Sequence, residues 1–119
     1  MPAYTTIKLD IDSKDDNVVD TLEFKLRYIL HYFKGHTATI MLYETFKGYH
    51  VYIDIDVVFS DTELVAIQAI LGSDWLRELR NLNRVKHSDI TWNILFDTKF
   101  KKGELYMEQK YIGTYKVKL

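Results

Sequence analysis

From Tyr49 to Phe59 the chain reads "YHVYIDIDVVF". Tyr49, Val51, Ile53, Ile55, Val57 and Phe59 fall on one parity, and His50, Tyr52, Asp54 and Asp56 on the other. A period of two is the signature of a strand with one buried and one polar face. The segment "TTIKLDID" (5–12) repeats the pattern, with Ile7, Leu9 and Ile11 against Lys8, Asp10 and Asp12. Two such strands call for an antiparallel sheet whose apolar face is covered and whose other face is left open.

The cover is written between them. "SKDDNVVDTLEFKLRYILHYF" offers Ser, Asp and Asn caps, acids in its first turn, and Val19, Leu22, Leu26, Ile29, Leu30 and Phe33 at helical spacing, with Gly35 after its end. "TATIMLYETF" (37–46) is expected to form a hairpin with the Tyr49 strand through a turn at Lys47–Gly48. Ser60 and Glu63 make a capping box ahead of Leu64, Ile67, Ile70 and Leu71. After Gly72, Ser73 or Asp74 recaps a shorter helix that turns Trp75, Leu76 and Leu79 inward. "ITWNILFDTKF" (90–100) reads as a fourth strand, "LYMEQK" as a helical turn or a strand, and "YIGTYKVKL" as an edge strand marked by its lysines.

The order β-α-β-β-α-β predicts an α+β, ferredoxin-like (RRM-like) sandwich over residues 1–119. Its antiparallel sheet has spatial order 4-1-3-2, two helices on one face and an extra C-terminal strand. With 119 residues, of which 47% are hydrophobic, the chain can bury a core as one domain. No apolar run approaches the ~18 residues of a membrane span, and the N-terminus lacks a signal-peptide pattern, so a soluble, cytoplasmic protein is expected. The absence of cysteine excludes disulfides, thiolate metal sites and cysteine nucleophiles. The tyrosine-, isoleucine- and lysine-rich composition fits an AT-rich or thermophilic source.

The net charge of −1 hides an asymmetry: residues 1–76 carry six basic and twelve acidic side chains, residues 77–119 ten and five. That division suggests a carboxylate site beside a phosphate-binding rim. In the expected sheet the first and third strands are neighbours, which lines up Asp10 and Asp12 with His50, Tyr52, Asp54 and Asp56. Carboxylates gathered in this way favour a divalent cation, and oxygen donors with one histidine suit Mg²⁺ or Mn²⁺ and phosphoryl transfer. Arg77, Arg80 and Arg84, spaced for one helical face, with Lys86 beyond, are candidates for gripping a DNA or triphosphate backbone.

"IKLDID", followed by a helix and then "KGYHVYI", resembles the first two motifs of the archaeo-eukaryotic primase and primase-polymerase palm. That resemblance implies a nucleotidyltransferase of a virus or plasmid replication system, acting on DNA and nucleotides, whether active or degenerate. It makes Asp10 and Asp12 metal ligands and His50 a phosphate contact, and leaves Asp97 or Asp54 as third acid. "YMEQK" resembles instead the tyrosine-lysine motif of tyrosine-dependent Rep nickases, implying Tyr106 as nucleophile with Lys110 one helical turn on. The paired histidines of that family read His50-Val51-Tyr52 here. "KGYHVYI" also partly resembles the central strand of RNA-recognition domains, implying a binding module that stacks bases on Tyr52. A homodimer through the C-terminal strand is compatible with each reading.

Overall fold

The computed structural model describes residues 4–95, 98–101 and 104–119, with 98–101 and 104–108 described as backbone only. The chain runs β1 (Thr5–Ile11), α1 (Val18–Ile29), a 3-10 turn at His31–Phe33, β2 (Thr37–Glu44), β3 (Tyr49–Ile55), α2 (Asp61–Ile70), α3 (Trp75–Lys86), β4 (Thr98–Lys101), β5 (Glu104–Glu108) and β6 (Lys110–Lys118). It is an α+β fold with a four-stranded antiparallel open sheet and three helices, compatible with a ferredoxin-like arrangement.

Period-two alternation sets the faces. Ile7 and Leu9 of β1, Ala38, Ile40 and Leu42 of β2, and Val51, Ile53 and Ile55 of β3 are all buried in one core. Val18, Leu22 and Leu26 of α1 with Leu30, Leu64 and Val65 of α2 with Leu71, and Tyr49, Trp92 and Val117 complete it. Each fully buried aliphatic side chain here contributes about 1.5–3 kcal/mol relative to exposure. β1 and β2 flank β3 in the split β-α-β pattern, joined through α1. Thr45–Gly48 turns the β2–β3 hairpin, closed by Thr45 N–H to the Gly48 carbonyl at 2.9 Å and Gly48 N–H to Thr45 Oγ1 at 3.1 Å.

The strand order is β1-β3-β2-β6, not 4-1-3-2, and the expected fourth strand beside β1 does not form. Residues 90–95 are irregular, and the only regular part of 90–100 among the described residues is β4, which pairs with β5 in a separate hairpin. The reason lies on the outer edge of β1, where the backbone groups of Lys8 and Asp10 are already taken. Lys8 N–H donates to Gln68 Oε1 (3.0 Å) and Asp10 N–H to Ser73 Oγ (3.0 Å). The Lys8 carbonyl accepts from Arg77 (3.1 Å) and the Asp10 carbonyl from Asp74 N–H (2.6 Å). With those groups satisfied, no ladder is left for a further strand, and the sheet edge is protected. β6 is an edge strand as expected, paired to β2 with a bulge at Leu42/Tyr43.

That same edge explains α3. Its buried residues are Arg77, Glu78 and Asn81, while Trp75, Leu76 and Leu79, expected inside, are exposed. In α2, Leu64, with Leu71 at its end, is in the core and Ile67 packs against it as the aliphatic spacing predicts, whereas Gln68 is fully buried and Ile70 exposed. The Ser60–Glu63 capping box forms as read, and Asp74 caps α3 by accepting from Arg77 N–H (3.1 Å). Between the helices Gly72 has φ +101°, a left-handed conformation that favours glycine and lets the chain re-enter a helix. "LYMEQK" takes the strand alternative, with Tyr106 in β5 and Lys110 opening β6, so the two do not share a helical face. Among the described residues no helix is long and apolar enough to cross a membrane.

Candidate functional site

The open face is laid out by strand register. Three rows cross it: Thr6–Asp54–Thr39–Lys116, Lys8–Tyr52–Met41–Thr114, and Asp10–His50–Tyr43–Tyr111. The last row brings an acid and a histidine together. Asp10 and His50 are direct cross-strand partners, and Asp10 Oδ1 lies 3.6 Å from His50 Nε2. The imidazole is nearly enclosed, at 4% exposure, whereas the Asp10 side chain retains 24%, so solvent or a ligand reaches the pair from the aspartate side.

Both partners are fixed from behind. Ser73 and Asp74 hold the Asp10 backbone on both sides, and Ser73 is itself held by Glu78. On the other side Gln109 Oε1 accepts from His50 Nδ1 (3.0 Å) and from the Tyr52 hydroxyl (3.3 Å). Donation from Nδ1 to Gln109 leaves Nε2 directed at Asp10. Gln109 immediately precedes β6 and follows β5, so it anchors the end of the strand that carries Tyr106 at His50. Tyr106 is three residues from Gln109, at most about 10 Å of extended chain.

The remaining acids are dispersed. Asp54 is four residues from His50 along β3, about 13 Å of strand, and accepts from Thr6 Oγ1 at 2.7 Å. The row between them contains Lys8, whose amine donates to the Asn93 carbonyl at 2.8 Å. Burial first, and the Arg77 guanidinium second, lower the pKa of that amine. Asp12 lies beyond β1 and is exposed, and Asp56 is bonded to His36 at 2.8 Å. Asp97 lies outside the described residues. The crowding of carboxylates expected on neighbouring strands is therefore relieved by spacing and by separate partners. Among the described residues no three of His, Asp and Glu gather in a group able to hold a metal.

Asp10 and His50 come near the spacing of two ligands of one ion. Their donors are 3.6 Å apart, against about 3.0 Å for neighbouring ligands of an octahedral ion at about 2.1 Å, so holding one requires the pair to close by about 0.6 Å; Mg²⁺ and Mn²⁺ are commonly held by one or two protein ligands with water and substrate phosphate completing the shell.

The arginine stripe divides. Arg77 is buried, bonding the Lys8 carbonyl, Glu78, Asn93 Oδ1 (2.9 Å) and the Ile94 carbonyl (3.1 Å). Arg84 reaches Asn81 (3.3 Å) and the Trp92 carbonyl (3.5 Å), while Arg80 and Lys86 are exposed. Tyr52 sits on the open face as read.

Three participants were missed. Tyr43 packs edge-on to Tyr52 and to Tyr111, with ring centroids 5.5 Å apart in both cases. The β2 alternation already placed Tyr43 outward, so its signal was present in "TATIMLYETF". Tyr111 depends on the β2–β6 bulge, and Gln109 on a loop, neither of which has a sequence period. No family model, curated protein or solved structure matches this chain.

Proposed function

We propose that this protein is a metal-dependent nicking and joining enzyme for single-stranded nucleic acid, of the tyrosine-dependent Rep type, with Tyr106 as nucleophile. The observation that carries the reading is Gln109. Its side chain binds both His50 and Tyr52, which tethers the Tyr106 strand beside the Asp10–His50 pair. The palm reading draws on the same pair but also requires a third acid; of its two candidates, Asp54 is about 13 Å of strand away and Asp97 lies outside the described residues.

In this reading the Tyr106 oxygen attacks the scissile phosphorus, forming a phosphotyrosine bond as the P–O3′ bond breaks. The phenolic proton passes to solvent, and the released 3′ oxygen takes one up. Joining is the reverse, with the 3′ hydroxyl displacing Tyr106. A bound Mg²⁺ or Mn²⁺ supplies charge neutralisation at the scissile phosphate, and Asp10 and His50 are the residues that would hold it. Gln109 orients the imidazole through Nδ1, while Ser73 and Asp74 fix the strand that presents Asp10. Lys110, adjacent to Gln109 and exposed, supplies positive charge near the phosphate.

The test is a covalent adduct on labelled single-stranded or hairpin DNA with Mn²⁺, resolved on a denaturing gel. Adduct is expected with the parent protein and none with Tyr106→Phe. His50→Ala should slow its formation by about 100-fold or more, the scale of losing a metal's electrostatic help. An adduct that persists in Tyr106→Phe contradicts the assignment.

A further inference from the structure

We infer that Tyr43 and Tyr111, with the lysines of β6, form a stacking track for single-stranded nucleic acid that leads along the open face to the Asp10–His50 pair. The inference rests on the proposed nicking function for what lies at the end of the track, although binding to the track needs no chemistry.

The geometry is continuous. Asp10, His50, Tyr43 and Tyr111 occupy one row across all four strands, and the rings of Tyr52, Tyr43 and Tyr111 succeed one another at 5.5 Å. Tyr111 is 60% exposed on the edge strand, so its ring is open to a partner. Its hydroxyl is tied to Thr114 Oγ1 at 2.6 Å, which restricts the ring without burying it. A ring held in this way loses little entropy when a base stacks on it.

Charge identifies the occupant. β6, "KYIGTYKVK", has Lys110, Lys116 and Lys118 exposed and no acid. Among the described carboxylates, Glu44, cross-strand from Lys110, pairs with Lys14 at 3.5 Å, and Asp54 holds the Thr6 hydroxyl. A basic edge beside exposed aromatic rings suits a polyanion with flat, unpaired bases, which a duplex does not offer. Lys116 lies five residues from Tyr111, about 17 Å along the strand, so phosphates of a short segment can run down the edge while its bases lie over the tyrosines.

The experiment measures anisotropy of a labelled oligothymidylate in EDTA, so that no cleavage intervenes. Tyr111→Ala should weaken binding by about tenfold, within the range for losing one stacked base. Tyr111→Phe should stay within about twofold, and Tyr28→Ala, which removes an exposed ring from α1, should change nothing. The salt slope should be about −2 and become shallower by about 0.7 in Lys116→Ala; this second variant decides the matter if Tyr111→Ala fails to fold. Absence of binding, equal losses in Tyr111→Ala and Tyr28→Ala, or an unchanged slope in Lys116→Ala overturns the track. The two proposals fail separately. Tyr106 adduct with Tyr111-independent affinity removes the track alone, and Tyr111-dependent affinity without adduct removes the chemistry alone.

Discussion

Gly48 has no room for a β-carbon. One added there would overlap the Ile11 carbonyl and sit 2.7 Å from Ser13 N, so the hairpin turn meets the end of β1 backbone to backbone. Gly48→Ala must push the β1 end away from β3, and with it the row that pairs Asp10 to His50. A destabilisation of about 2 kcal/mol or more is expected in urea unfolding, together with altered His50 ring chemical shifts. Shifts unchanged from the parent would show that the contact is not there. Glu78 is the other residue on which much rests. It accepts from Gln68, Ser73, Arg77 and Asn81, and its side chain is 3% exposed. Glu78→Ala strands four buried donors, one of them a guanidinium, and should cost about 3–5 kcal/mol, measured by the same unfolding experiment. A cost below about 1 kcal/mol would mean that the network is solvated.

Among the elements, β1, β2, β3 and β6 were legible, while the inward face of α3 and the absence of a strand over 90–95 were not, for one physical reason. β1, β2 and β3 each face a core on one side and a polar surface on the other, so period-two alternation maps directly onto structure. α3 instead faces a sheet edge, where bare N–H and C=O groups need polar partners. Its buried side is Arg77, Glu78 and Asn81, and Trp75, Leu76 and Leu79 are left outside. The usual rule that the aliphatic stripe points inward therefore gives the opposite face. The two tryptophans test this arrangement, because Trp75 is 72% exposed and Trp92 only 4%. Trp92→Phe should leave red-shifted emission that acrylamide quenches readily, and Trp75→Phe should leave blue-shifted, protected emission. The reverse assignment would return α3 to the conventional orientation. Asp10 and His50 were readable as neighbours because the register of two alternating strands brings them together. Gln109, which connects them to the Tyr106 strand, was not readable, because a loop residue carries no period.

Over the molecule as a whole, three exposed carboxylates share the same sign of linkage. His36 hydrogen-bonds Asp56, the Ser60 backbone N–H and then its hydroxyl bond Glu63, and the Thr91 backbone N–H and then its hydroxyl bond Asp89. Each pKa is lowered below its ordinary value, so the unfolded chain binds protons more readily than the folded one in the window between them. Their stabilisation is present above about pH 4–5 and is lost as pH falls through the lowered values. The thermal midpoint should therefore fall on acidification through this range, and Asp56→Asn should flatten part of the slope. A midpoint that rises on acidification would reverse the sign.

The proposed function rests on one juxtaposition, the Tyr106 strand tied through Gln109 to His50 beside Asp10. Its most direct test is peptide mapping by mass spectrometry after incubation with single-stranded DNA and Mn²⁺. The expected result is a nucleotide mass joined to the peptide containing Tyr106, strongly reduced when His50 is replaced by alanine. A modified tyrosine elsewhere, or a Tyr106 adduct that forms as fast without His50, would contradict it.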